Sequence, residues 1–399
     1  MRRVCLSFVG TALFAGLIVA TLVSVSAMDG PQAPPTVGSR FPGQFPPPFP
    51  PPPDLLEGQR LFDRETFGGN GRTCLTCHSA ATGTVSPEDA RRRFLRDRRD
   101  PLFLHDGSDD GQGEGVSRML NDATILMTID LPASVTVADE PGAKSVVLRR
   151  GIPTTINTPA LDPVLMYDGR QPDLQSQAKG AIHDHAQATE EPADDQLDLI
   201  KKFQQTDDRF FSSSELRLFA HGGPTPGLPE GRTPSEKRGR RFFVDSAGGA
   251  DGKDGLCAGC HSGPMLNQTN EFLTPITGDL PGTRFQNVLV SLFNAAGNPT
   301  KPYVFAGSVH FPPSPDPGRM LITGNPADFE VFKISPLRGV KDTAPYFHDN
   351  SAKTLADVVK HYARFFEFVT DPDGPGPAPG FLILTEQEQA DMVAFMKLL

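Results

Sequence analysis

The chain of 399 residues has no tryptophan, four tyrosines and five cysteines. Without an indole, any electron or hole transfer must use another aromatic ring or none. Cysteine is so scarce that the place of each one is informative. Positive charge is also in deficit, with 38 Lys and Arg against 48 Asp and Glu and a formal charge of −10. That balance excludes nucleic acid as a partner, because phosphate binding draws on clustered positive charge. Otherwise, 38% hydrophobic and 22% charged residues are ordinary for a globular protein able to bury a sizeable core.

What is present begins with Arg2 and Arg3 ahead of an apolar run, Val4 to Val25, closed by the small-x-small triplet Val25-Ser26-Ala27. Residues 1–27 read as the signal of a chain exported to the bacterial periplasm. Left uncleaved, the same run is long enough to be a membrane tether. Cleavage removes Cys5, so that the remaining cysteines are Cys74, Cys77, Cys257 and Cys260. Residues 28–54, with PGQFPPPFPPPPD, read as a stiff proline-rich spacer. The basic run Arg91 to Arg99 follows Ser86-Pro87-Glu88-Asp89, a helix-start pattern, and is expected to be an exposed helix face.

The four remaining cysteines fall in two copies of one pentapeptide, Cys74-Leu-Thr-Cys-His78 and Cys257-Ala-Gly-Cys-His261. Two disulfides or a zinc site would use the thiols but not explain a histidine directly after each pair. Covalent c-type haem explains all three residues: the thiols add to the vinyl groups and the adjacent imidazole reaches the iron. Two such haems are expected, with Cys74, Cys77 and His78 holding haem 1 and Cys257, Cys260 and His261 holding haem 2.

The flanks repeat too. Gly58-Gln-Arg-Leu-Phe62 precedes the first site and Gly239-Arg-Arg-Phe-Phe243 the second. Downstream, Tyr167, Asp168 and Leu174 correspond to His348, Asp349 and Leu355 at one offset of 181 residues. The expected architecture is mainly α: two tandem cytochrome c-like haem domains related by internal duplication, with long irregular loops. Their boundaries are set at 55–221 and 235–399, with the Gly/Pro-rich stretch 222–234 as linker. Leu355, Val358, Val359, Tyr362 and Phe366 share one helical face, Thr385 and Glu388 start a terminal helix, and Lys144 to Arg150 reads as a short strand. At the shared offset Tyr362 faces Ala181. A phenol can ligate iron and a methyl group cannot, so haem 2 is expected to be capped and haem 1 open; the alternative is that Tyr362 is a core aromatic.

From about residue 55 onward the chain resembles the bacterial di-haem cytochrome c peroxidases, including their MauG-like members. The resemblance rests on GQRLF…GGNGRTCLTCH, TPALDPVLMYDGRQPDLQSQAKGAI, CAGCHSGP and FKISPLRGVKDTAPYFHDNSAKTLADVV. It implies a distal haem 2 ligand fourteen residues after His348, at Tyr362, where MauG-like members carry tyrosine. The family's inter-haem tryptophan becomes Tyr167, and its catalytic glutamate, twenty residues later, becomes Gln187, an amide that cannot shuttle a proton. His183, His185, Glu190 and Glu191 are the candidates to replace it. The resemblance also implies calcium bound near Thr343 and Pro345, although the asparagine that would complete the site falls near Gly151. The acidic loop from His105 to Gly111 reads as a solvated turn rather than a second calcium loop, since it lacks a closing glutamate; His105 is a second candidate to reach haem 1.

The function expected from this resemblance is reduction of hydrogen peroxide at haem 1. Electrons would pass through haem 2 from a small donor protein or an oxidisable partner protein, and the acidic surface suits a basic donor. An electron-transfer cytochrome without peroxidase activity and a substrate dehydrogenase or oxygenase on the same scaffold are the alternatives. Monomer and homodimer are both open.

Overall fold

The computed structural model describes residues 52–273, 280–370 and 382–399. The expected export signal and the expected spacer up to residue 51 lie outside the described residues. Pro51–Leu399 form one compact unit, mainly helical, with three small antiparallel sheets. Among the described residues no helix is long and apolar enough to cross a membrane.

Helix Pro53–Arg64 opens with proline at its first turn, where the missing N–H has no intrahelical partner to lose. The expected spacer therefore gives way to helix just before its assigned end at residue 54. The face carrying Leu61 and Phe62 packs on Leu197, Ile200 and Phe203 of helix Asp194–Thr206, and Ala178 and Ile182 of helix Leu174–Asp184 complete the cluster. Gly58 lets two backbones cross closely: a Cβ there would lie 2.4 Å from the Leu199 carbonyl oxygen and 2.8 Å from Phe203 Cβ.

The C-terminal part uses the same crossing. Helix Pro234–Arg240, capped by Thr233 and Glu236, meets the terminal helix Glu386–Met396, capped as expected by Thr385 and Glu388. A Cβ on Gly239 would lie 2.0 Å from the Asp391 carbonyl oxygen and 2.9 Å from Phe395 Cβ. Leu355, Val358 and Val359 of helix Leu355–Thr370 are buried in the surrounding cluster, with Tyr362 and Phe366 packed against it.

A third cluster draws from both parts: Ile129, Val135, Val137, Val146 and Leu148 pack on Tyr303, Met320 and Leu321. Its frame is two ladders, Thr124–Asp130 on Ser145–Gly151 and Val135–Val137 on Tyr303–Phe305. The second ladder joins residues far apart in sequence. The strand expected at Lys144 to Arg150 is thus present, burying Val146, Leu148 and Arg150 on alternate positions. The basic run forms helix Pro87–Arg96, capped by Ser86 and Asp89. Arg91, Arg96, Arg98 and Arg99 are exposed, while Arg93 donates to Asp100 and to the Thr76 carbonyl.

Candidate haem sites and the polar network beside the first

Cys74–Cys77 form one helical turn, closed by reciprocal bonds between Thr73 and Thr76. The two thiols and His78 line a cleft of about 1000 Å³, its mouth included. Both cysteines are free, and burial pushes the Cys74 thiol up to about 12. Nδ1 of His78 donates to the Gly83 carbonyl at 2.9 Å. A carbonyl can only accept, so Nε2 keeps its lone pair, and burial holds the imidazole neutral by lowering its pKa. An oriented, neutral imidazole beside two unpaired thiols on a large apolar cleft is the donor set that covalent haem requires.

The second set repeats this geometry. Cys257, Cys260 and His261 line a cleft of about 2070 Å³, open mouth included, and Nδ1 of His261 donates to the Leu266 carbonyl at 2.8 Å, again five residues on. Tyr362 stands on the wall of this second cleft, and burial pushes its phenol upward. A phenolate there therefore needs a cation beside it. His361 lines the same cleft, its pKa lowered to about 4 chiefly by burial. Ala181 lies on the wall of the first cleft.

Tyr167, Ile152 and Pro153 line both clefts. Tyr167 meets His348 edge to face with ring centroids 6.5 Å apart, and its carbonyl accepts from the Lys333 N–H at 2.7 Å. Beside it Arg150, 2% exposed, makes a two-pronged ion pair with Asp316 at 2.7 and 2.9 Å and also binds Asp168. Asp168 in turn holds Arg170. Residue 150 reads as an ordinary strand position in the sequence; no local pattern marks it as a buried cation on the wall of the first cleft.

Of the candidates to replace a catalytic glutamate, the structure brings one to the first cleft. His185 lines it. Gln187 is exposed and accepts from Asn70 Nδ2 at 3.1 Å, outside the cleft lining. His183 and Glu191 are paired on the exposed surface, and Glu190 is exposed. His105 is not on the cleft wall either. Its neighbour Asp106 is, however, bonded to the ring that is: His185 Nδ1 lies 2.5 Å from Asp106 Oδ2.

The acidic loop is consequently not the solvated turn expected. Asp106 is 4% exposed and pairs with Arg72, itself 2% exposed. Asp109 accepts from the N–H groups of Ser117 and Arg118, and Asp110 from those of Gln112 and Glu114. Each carboxylate is spent on a protein donor. Burial opposes ionisation of Asp106, but the hydrogen bond from His185 and the charge of Arg72 outweigh it and hold the carboxyl below its ordinary value.

Thr343 and Pro345 line the second cleft. The space above Gly151 is filled by Asn350, whose amide nitrogen donates to the Asp122 and Ala123 carbonyls at 3.0 Å. Asn350 thus knits the two parts of the chain together. Among the described residues, no group of three His, Cys, Asp or Glu side chains is placed to hold a metal ion.

No protein-family model matches the chain. It is 28% identical over 232 residues to a cytochrome c551 peroxidase of Nitrosomonas europaea, covering 53% of this chain and 58% of that one. It is 24% identical over 341 residues to the cytochrome-c peroxidase IdrP2 of Pseudomonas sp. strain SCT, covering 85% and 78%. The chain therefore spans little more than half the length of the first relative. Among solved structures, a MauG-like protein associated with microbial copper homeostasis aligns over 88% of this chain and 93% of that one, at 18% identity and a TM-score of 0.46.

Proposed function

For a chain related to the bacterial di-haem cytochrome c peroxidases, we propose an exported oxidoreductase that reduces hydrogen peroxide. The reaction is H2O2 + 2 H+ + 2 e− → 2 H2O, with both electrons drawn from a small donor protein or an oxidisable partner protein. Bound at Cys74, Cys77 and His78 and at Cys257, Cys260 and His261, two c-type haems supply the redox chemistry: peroxide reduction at the first and electron relay at the second.

The observation that carries the reading is the inequality of two otherwise matched sites. Each CxxCH histidine is fixed through Nδ1 to a carbonyl five residues on. One cleft wall offers Ala181 and the other Tyr362. Ala181 leaves room for a small oxidant. Tyr362 is the residue to cap the second iron, and Tyr167, on both walls, is the ring between them. A buried phenol gives up its proton reluctantly, so transfer through Tyr167 depends on a proton acceptor. The matched glycine crossings at Gly58 and Gly239 support two tandem haem domains, 55–221 and 235–399, arisen by duplication. Calcium at Thr343 and Pro345 is not needed by any of these roles.

The test is the ferric EPR spectrum and peroxide turnover of the di-haem protein and its Tyr362→Phe variant. Wild type is expected to show one high-spin and one low-spin haem and to consume peroxide with a reduced donor. The variant should lose the low-spin signal and turn over at least about tenfold more slowly, a loss of about 1.4 kcal/mol in transition-state stabilisation. Two low-spin haems indifferent to peroxide would sink this reading in favour of an electron carrier.

A further inference from the structure

We propose that His185, held by Asp106 and Arg72, is the proton-transferring group of the first cleft. This rests on the peroxidase reading and gives the missing carboxylate a replacement of different chemistry. Splitting the O–O bond requires hydrogen peroxide to lose a proton from the oxygen that stays and gain one on the oxygen that leaves as water. A single imidazole nitrogen can accept the first proton and return it to the second oxygen. The net reaction then still takes two protons from solvent and two electrons from the donor.

Three observations place His185 in that role. It follows directly on the C-terminus of helix Leu174–Asp184, one turn beyond Ala181, and lines the same cleft. Its Nδ1 is committed to Asp106 at 2.5 Å, so Nε2 is the nitrogen left for the cleft. The acid is itself built in: Arg72 pairs with Asp106 and also donates to the carbonyls of Pro101, Leu102, Leu104 and His185. Asp106 and Arg72 are positioning residues. They fix the tautomer and orientation of the ring as a carboxylate does for a general-base histidine.

The other ionisable groups on this wall, apart from the two haem-binding thiols, are unsuited to the task. Both Glu65 oxygens already accept, one from Arg60 and the other from the Thr66 and Phe67 N–H groups, His78 is committed at Nδ1 to Gly83 and would hold the iron at Nε2, and burial pushes Tyr167 upward. Arg72, Arg150 and Arg170 are cations at any working pH. The imidazole of His185 can both take a proton and give one back, which an amide such as Gln187 cannot.

The experiment compares wild type, His185→Gln, His185→Ala and Asp106→Asn as di-haem proteins. It measures the second-order rate of reaction with hydrogen peroxide from pH 5 to 9, and the ferric EPR spectrum of each. His185→Gln keeps an amide donor for Asp106, and should fold and react about 100- to 10,000-fold more slowly. Added imidazole should restore part of the rate of His185→Ala. Asp106→Asn takes the carboxylate acceptor from Nδ1 and should slow the reaction with His185 still present, a loss that added imidazole does not restore and that a purely structural Asp106 would not produce.

A low-spin haem 1 that becomes high-spin only in His185→Gln would overturn the proposal, because His185 would then be an iron ligand. An unchanged rate in His185→Gln would overturn it while leaving the peroxidase reading intact. A wild type that does not react with peroxide would end both.

Discussion

Asp106 and His185 decide the character of the first cleft, with Arg72 beside them, and neither of the two belongs to a haem-binding motif. Asp106 pairs with Arg72, 34 residues away, and with His185, 79 residues away. Because its carboxyl titrates below its ordinary value in the folded protein, it contributes stability that is complete above the unfolded pKa of about 3.9. That contribution is lost as pH falls through the lower folded value. Asp106→Asn leaves a buried guanidinium without its counter-charge and should cost about 3–5 kcal/mol at pH 7. The gap in thermal stability between wild type and variant should then narrow steadily from pH 5 to 3. A gap independent of pH would show that the ionised carboxylate is not what stabilises the loop. The cysteines and histidines proposed to bind haem, by contrast, were legible in the sequence, since the chemistry that needs them is local to five residues.

The scaffold is built on two helix crossings, each closed by a glycine. Alanine at Gly58 gains about 1 kcal/mol of helix propensity. Its methyl group would nonetheless sit 2.4 Å from the Leu199 carbonyl oxygen, and such overpacking costs about 1–3 kcal/mol. Gly239→Ala meets the Asp391 carbonyl oxygen at 2.0 Å. Both variants should melt below wild type. Gly180→Ala is the control: its nearest neighbour, at 3.1 Å, is the end of the Gln171 side chain, which can swing aside, so its melting temperature should hold or rise. If all three variants behave alike, the close-crossing argument is wrong. The glycines recur in matching flanks of the sequence, yet their reason appears only when the partner backbones, more than 140 residues further on in both cases, are in place.

Over the whole molecule, a formal charge of −10 favours encounter with a basic donor. The exposed arginines at 91, 96, 98 and 99 are a local exception, carried on a helix that Arg93 ties to the Cys74–Cys77 turn. At about 10 mM salt a basic small cytochrome should reduce the protein faster than an acidic one. The two rates should converge near 0.5 M, where the screening length is only a few ångström. A faster acidic donor would instead identify the arginine face as the docking surface. Stopped-flow reduction kinetics with both donors distinguish these outcomes.

The sequence by itself determined the two CxxCH pentapeptides, the helix starts at Ser86 and Thr385, the strand at Lys144 to Arg150 and the apolar face that carries Tyr362. These are covalent, capping or periodic features, and each is complete within one short stretch of chain. Only the tertiary structure decided that Gln187 faces out and His185 faces in. It alone buried Asp106 with Arg72, put Tyr167 on the walls of both clefts and pinned Arg150 between Asp168 and Asp316. Those outcomes depend on which distant side chains share one desolvated space, where a charge must be paired or expelled, and no spacing along the chain encodes that.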